Sequence, residues 1–287
     1  MSICKFINLD LNFYRENYTD LRAFSDARLV SHYERNGYRE GRLTSAIADR
    51  QGFLGIITGN NILEIGPFYN PLIRGRHVKY VDVLATAGLR EKAKSIGKNP
   101  DHIPHIDYVV PAGNLSVIHD RFDAVCSSHN IEHQPDLIGH LKDVARCLSP
   151  GGKYYLIIPN AAYCYDASLP LTKISEIFNA AYERRTVHTI GSVIEHWAMT
   201  THNKTLRHWQ SKGQGFTPLD PDKVMAAIRE YEQADGGYID VHAWQFTPLS
   251  FSNIMNCLIA MGAVPFRSVT VNGPVYGRNE FTAILAA

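Results

Sequence analysis

The chain reads as an α/β protein with a mainly parallel sheet that closes in an antiparallel hairpin, and three observations carry that reading. Asn61 to Asn70, NILEIGPFYN, is an apolar run broken by Glu64 and closed by Gly66-Pro67. That is the pattern of a buried parallel strand whose carboxyl edge opens a ligand crevice. Further strand-like runs then alternate with connections, one of which is a clear amphipathic helix. The last two runs are joined by a turn at Asn272-Gly273-Pro274, too short for a crossover, so those two strands must be antiparallel.

Taken in order, residues 1–44 carry Phe13, Tyr14, Leu21, Phe24, Leu29, Tyr33 and Tyr38 at broadly helical spacing, with Gly37 and Gly41 as stops. They predict a small module of short helices. A core over 45–160 follows, with strands at Ile62 to Ile65, Val78 to Leu84, Tyr108 to Val110, Phe122 to Ser127 and Tyr154 to Ile158. The eleven residues between Gly66 and Val78 leave no room for a full first helix. Asp136 to Leu148 is the clear helix, apolar at Leu137, Leu141, Val144 and Leu148 and stopped by Pro150-Gly151-Gly152. Residues 161–245 are far too long for an ordinary connection of ~4–6 residues and are rich in His and Trp, which marks a lid or acceptor-recognition insertion. Residues 246–287 complete the core with a helix at Pro248 to Met261 and strands at Phe266 to Val271 and Glu280 to Leu285, the sixth and seventh.

The net charge of +1 and the lack of long Lys/Arg clusters leave no electrostatic footprint for nucleic acid. Lys5, Asn8 and Asp10 interrupt what a signal peptide would keep apolar, and no apolar run reaches ~18 residues, so a cytoplasmic protein without a membrane span is expected. The 5 cysteines are scattered without a C-x-x-C and read as reduced packing residues. The first crevice suits a nucleotide-like cofactor, yet Phe68 and Pro71 stand where G-x-G-x-x-G counted from Gly66 requires glycine. This disfavours a nicotinamide or flavin dinucleotide.

LEIG (Leu63 to Gly66), YVDVL (Tyr80 to Leu84), FDAVCSSHNIEH (Phe122 to His133) and LSPGGKYYLIIPN (Leu148 to Asn160) follow one another in order. In this the chain resembles the class I S-adenosylmethionine-dependent methyltransferases. The resemblance implies a Rossmann-like, mainly parallel seven-stranded sheet with a terminal antiparallel hairpin and S-adenosylmethionine as cofactor. More narrowly, IGPFYNPLI, KYVDVLA and SSHNIEH look like a bacterial branch associated with glycan and polysaccharide biosynthesis. Tyr18 to Leu21, His32-Tyr33, Gly37 and Glu40 to Arg42 resemble a module found beside glycan-modifying domains. A saccharide or other small-molecule acceptor and a glycosyltransferase partner are what these likenesses imply.

The resemblance assigns Glu64 to the amino acid end of the cofactor, with Gly66 letting the backbone pass close to it. Pro67, itself a candidate cofactor contact, departs from the usual Gly-rich loop, so backbone groups of Phe68 and the Asn70 side chain are candidate substitutes. Asp82 suits the ribose hydroxyls, its bland alternative being a helix cap. Pro111 replaces the acidic residue that usually meets adenine, which leaves Asn114 as either a base contact or an ordinary turn residue. Ser128, a candidate cofactor contact, and His129 follow the fourth strand at the edge where the resemblance places the transferable methyl, and His129 is the first candidate general base. His133 is a candidate acceptor contact, and Glu132 a partner of the helix dipole.

Asp240 to Trp244 alternates like a strand, which would put Asp240, His242 and Trp244 on one face. His242 is therefore a second candidate base and Trp244 a candidate stacking surface for a sugar, the bland readings being a satisfied histidine and a core tryptophan. His129 to His133 also spells the inverted zinc motif H-x-x-E-H, rejected because the run leaves a strand and Pro135 lies in the next turn; no metal is expected. The function expected is O-methylation of a sugar hydroxyl, with a small-molecule N- or O-methyltransferase and a non-catalytic cofactor-binding module as alternatives.

Overall fold

A computed structural model describes residues 8–110, 113–210 and 218–287. Seven strands form one sheet in the order β3-β2-β1-β4-β5-β7-β6. They are β1 Ile62–Ile65, β2 Val78–Asp82, β3 Tyr108–Val109, β4 Phe122–Ser128, β5 Leu148–Pro159, β6 Ser268–Asn272 and β7 Glu280–Ala286. β1 to β5 pair in parallel, and β7 runs antiparallel to both β5 and β6. This is the sheet the sequence predicts, down to the closing hairpin.

The strands alternate their side chains between two cores, as a period of two requires. Leu63, Ile65, Leu156 and Ile158 face one core, which α5 (Leu137–Cys147) and α10 (Pro248–Ala260) cover. Ile62, Tyr155 and Ile157 face the other, covered by Phe53 of α3 (Arg50–Leu54) and by Leu89 and Ala93 of α4 (Thr86–Ser95). Asp136 caps α5 by accepting from the Gly139 amide at 2.9 Å, which fixes where that helix starts. The predicted stop Pro150-Gly151-Gly152 lies inside β5 instead, because pairing with β4 begins again at Lys153 after a register shift.

Between β1 and β2 there is no helix, as the short spacing demands. The loop packs Phe68, Tyr69, Leu72 and Ile73 on the second core, and the Tyr80 hydroxyl donates to the Ile73 carbonyl at 2.6 Å. Ahead of the sheet, α1 (Leu11–Asn17) and α2 (Asp26–His32) enclose Tyr14, Leu21, Leu29 and Tyr33 in a small core of their own. Gly37 is needed there, since a Cβ would lie 2.0 Å from the Tyr14 hydroxyl.

The described residues between Pro159 and Pro248 are helical and irregular, with α6 (Ile174–Glu183), α7 (Ile190–Ile194), α8 (Thr205–Gln210) and α9 (Pro221–Ala234). The strand expected at Asp240 to Trp244 is absent. That segment has no partner strand, and its Ala243 and Trp244 amides both donate to the Glu132 carbonyl, at 2.7 and 3.2 Å. Cys126, Cys147 and Cys164 are buried as expected, whereas Cys257 is exposed; Cys4 lies outside the described residues. No helix among the described residues is long and apolar enough to cross a membrane.

Candidate active site

The carboxyl ends of β1, β2 and β4 open a cleft of about 210 Å³, with Gly66, Asp82, His129, Asn130 and His133 in its walls. Gly66 has φ 67°, and a Cβ there would lie 2.7 Å from Asn130 Nδ2. Glycine is thus required twice, by backbone conformation and by space. Gln134 holds Asn130 in this position, its Nε2 donating to the Asn130 Oδ1 at 3.0 Å and to the carbonyl at 3.1 Å.

Asp82 ends β2 and is 8% exposed. Burial raises its carboxyl above the usual range, opposed by the backbone amides of Leu84, Val83 and Phe68 and by Lys92. The Leu84 amide reaches Oδ1 only at 3.4 Å, a weak bond that leaves the carboxylate capacity for a pair of ligand hydroxyls. Val83, Leu89, Val110 and Leu115 give the same cleft an apolar side suited to an aromatic base.

His129 leaves β4 with φ 50°, its amide held by the Ile157 carbonyl at 2.9 Å. Its Nε2 lies 3.0 Å from Glu280 Oε2. Arg50 grips the same carboxylate with two bonds, Nε to Oε1 at 3.0 Å and Nη2 to Oε2 at 2.7 Å, and reaches the Ser128 hydroxyl at 3.0 Å. Burial alone would raise the Glu280 carboxyl, but His129 and Arg50 bring it down to about 2. A carboxylate on Nε2 holds the proton there and leaves the Nδ1 lone pair for chemistry.

The other expected residues are placed as follows. Glu64 is buried behind the cleft, its two oxygens accepting from the amides of Leu72 at 2.7 Å and Ile73 at 3.2 Å. Pro67 is buried and Asn70 exposed, both outside the cleft lining. Asn114 accepts from the Ser116 amide at 2.9 Å and caps a short turn, while its neighbours Gly113 and Leu115 line the cleft. Pro111 lies outside the described residues. Ser128 faces Arg50 rather than the cleft.

His133 lines the cleft, with Nδ1 3.2 Å from Asp240 Oδ1, and Lys92 pairs with the same carboxylate at 2.8 Å. His242 is buried next to it, bonded to Asp166 through Nδ1 at 2.6 Å and to the Tyr165 hydroxyl through Nε2 at 2.6 Å. Burial works to lower that imidazole, but Asp166 and Glu132 raise it overall. Trp244 is 3% exposed, packs in the first core, and donates from Nε1 to the Gln134 carbonyl at 2.6 Å. That placement leaves no face for a sugar and corrects the stacking role expected of it.

Arg50, Asn130, Asp166 and Glu280 escaped sequence reasoning. Each is a common polar residue, and only the fold brings Asn130 into the cleft wall, Arg50 and Glu280 to His129, and Asp166 to His242. Glu280 alone carried a usable signal, as an acidic residue opening the final strand beside β5.

A family model described as a methyltransferase domain matches residues 36–214. No curated protein sequence matches the chain significantly. Among solved structures, the chain is similar to an S-adenosylmethionine-dependent methyltransferase from Thermotoga maritima, with 14% identity, TM-score 0.42, and 90% of this chain and 96% of that one covered. It is also similar to one from Mesorhizobium loti, with 13% identity, TM-score 0.41, and coverage of 85% and 100%. Against a structure from Nostoc punctiforme the identity is 11% and the TM-score 0.39; 83% of this chain is covered, and it spans 55% of that protein's length.

S-adenosylmethionine fits the residues present: the Gly66 cradle that a Cβ would fill, the under-satisfied Asp82 carboxylate and the apolar wall behind it. With more than half of its length matched by the family model, the chain belongs to the methyltransferase-domain family, and the domain is that of an S-adenosylmethionine-dependent methyltransferase.

Proposed function

We propose that the protein methylates a hydroxyl oxygen of a saccharide, with His129 as general base. The bond between Glu280 and His129, whose imidazole lines the cleft, carries this reading. When bound, S-adenosylmethionine supplies an electrophilic methyl on a sulfonium. Asp82 takes the ribose hydroxyls, and Gly66 with Asn130 borders the amino acid end. A hydroxyl acceptor must shed its proton as the carbon–oxygen bond forms and the methyl–sulfur bond breaks to leave S-adenosylhomocysteine, and His129 Nδ1 accepts that proton, a contribution of roughly 10²–10⁴ in rate. Glu280 and Arg50 hold the imidazole in the tautomer this requires.

The saccharide class rests on aromatic residues near the same sheet edge. Tyr163 and Trp209 stack at 3.6 Å with Tyr276 at 5.1 Å from Trp209, whose Nε1 donates to the Arg278 carbonyl two residues before Glu280. Such a group presents flat apolar surface with polar tips, suited to a sugar ring. A glycosyltransferase that builds the acceptor is the partner this reading expects.

Calorimetry with S-adenosylhomocysteine, followed by methyl transfer to a panel of oligosaccharides, tests it. Wild type should bind and transfer, and His129→Gln should bind without transferring. Transfer to amines or phenols alone would remove the saccharide, and absence of cofactor binding at millimolar ligand would remove the whole reading.

A further inference from the structure

The cofactor cleft leaves one cluster unexplained. Glu132 is 0% exposed, and neither of its carboxylate oxygens has a hydrogen-bond partner. Burying an uncompensated carboxylate costs several kcal/mol, so a group that satisfies it is expected. Among the described residues, the groups within ion-pair distance are two imidazoles, His133 Nε2 and His242 Nε2, each 3.7 Å from Oε1. That is too long for hydrogen bonds. It is close to the roughly 3.4 Å that separates neighbouring donors around a tetrahedral ion with ~2.0–2.2 Å bonds. One ligand atom from each of the three side chains lies within 4.8 Å of the others.

We propose that Glu132, His133 and His242 bind a divalent transition-metal ion of the zinc class. The surroundings are those of metal ligands. His242 turns Nε2 toward Glu132 and bonds Asp166 through Nδ1, the arrangement that fixes tautomer and ring orientation in metal-bound histidines, while His133 turns Nε2 toward Glu132 and sets Nδ1 3.2 Å from Asp240 without hydrogen-bond geometry. The two rings meet edge to face at 4.6 Å. The Ala243 and Trp244 amides on the Glu132 carbonyl lock the 240–244 segment to the Glu132 turn, so backbone bonds set the spacing of all three ligands. The Tyr165 hydroxyl, 2.6 Å from His242 Nε2, is the group that yields this lone pair to the ion. Two nitrogens and one carboxylate oxygen suit zinc or cobalt over magnesium or calcium.

This is not the inverted zinc motif spelled by the sequence. His129, the first histidine of that string, is turned to Glu280, and the second imidazole comes from His242. Since His133 also lines the cleft, the ion would sit in a wall of the cofactor site.

The test uses the full chain, stripped with chelator and titrated with Zn²⁺ by calorimetry and with Co²⁺ by visible absorption. About one ion per chain is expected, with the intense bands of a low-coordinate Co²⁺ site, and magnesium should not compete. His242→Ala and Glu132→Gln should abolish the bands, Asp166→Asn should weaken affinity about 10–100-fold, and Tyr165→Phe should retain it. The Co²⁺ spectrum of wild type needs no variant to fold. No Zn²⁺ or Co²⁺ binding by wild type overturns the proposal, as does binding unchanged in folded His242→Ala and Glu132→Gln proteins. If S-adenosylhomocysteine binding persists without metal binding, the metal site falls and the methyltransferase reading stands.

Discussion

His129 occupies the left-handed region at φ 50°, a conformation that costs a non-glycine residue on the order of 1 kcal/mol and persists only where neighbours enforce it. The Ile157 carbonyl and the Glu280 carboxylate enforce it here. His129→Asn, which tolerates that backbone, should lower kcat by about 10²–10⁴-fold while S-adenosylhomocysteine affinity changes by less than about threefold, as rapid-quench and calorimetric measurements will read. For Asp82 the effect expected is on binding instead. Its carboxylate offers charge-assisted bonds of about 1.5–3 kcal/mol each, so Asp82→Ala should weaken S-adenosylhomocysteine at least tenfold in calorimetry, with a melting temperature equal to or above wild type. A substitution that leaves affinity intact would return Asp82 to the role of a strand-end cap.

At the level of elements, the loop between β1 and β2 does a helix's work without being one, and Glu64 is its anchor. LEIG and the eleven-residue spacing made strand and missing helix legible, but the partner of Glu64 was not. A buried carboxylate satisfied by two backbone amides leaves no pattern in side-chain identities. The same holds for Asp240 to Trp244, where alternation suggested a strand and the Glu132 carbonyl won the amides. Burial pushes the Glu64 carboxyl up to about 7 against an ordinary 4.5, with the Leu72 and Ile73 amides opposing. Between those values the native state holds a proton that the unfolded chain has released, so stability falls as pH rises. Relative to the neutral Glu64→Gln, wild type should lose roughly 3 kcal/mol between pH 4.5 and 7, measured by urea unfolding at each pH. A constant difference across that range would mean Glu64 is already ionised in the folded protein.

Across the whole molecule, the proposed base and its support come from three distant parts of the chain: Arg50 before the first strand, Ser128-His129 at the end of the fourth, and Glu280 opening the last. Strand order is what unites them, because β4, β5 and β7 lie side by side and α3 packs on the same sheet. Sequence patterns predict a mainly parallel sheet with an antiparallel final hairpin from strand spacing and the short final turn. They do not reveal that Arg50 and Glu280 meet across 230 positions, since a single arginine and a single glutamate carry no periodicity. The tie should report its own pH window, opposite in sign to that of Glu64. The Glu280 carboxyl is depressed to about 2 from 4.5, so its stabilisation is complete above the unfolded value and is lost as pH falls through the folded one. The shift amounts to on the order of 2–3 kcal/mol, allowing for solvent around the partly exposed Arg50. Glu280→Gln should therefore melt below wild type at pH 7, and the gap should close as the pH is lowered from about 4.5 toward 2. At neutral pH the same variant should lower kcat at least about tenfold with cofactor affinity unchanged, because the Gln amide no longer enforces one tautomer of His129. A gap independent of pH together with full activity would separate Glu280 from the base and reduce its bond with Arg50 to a fastening of the final strand.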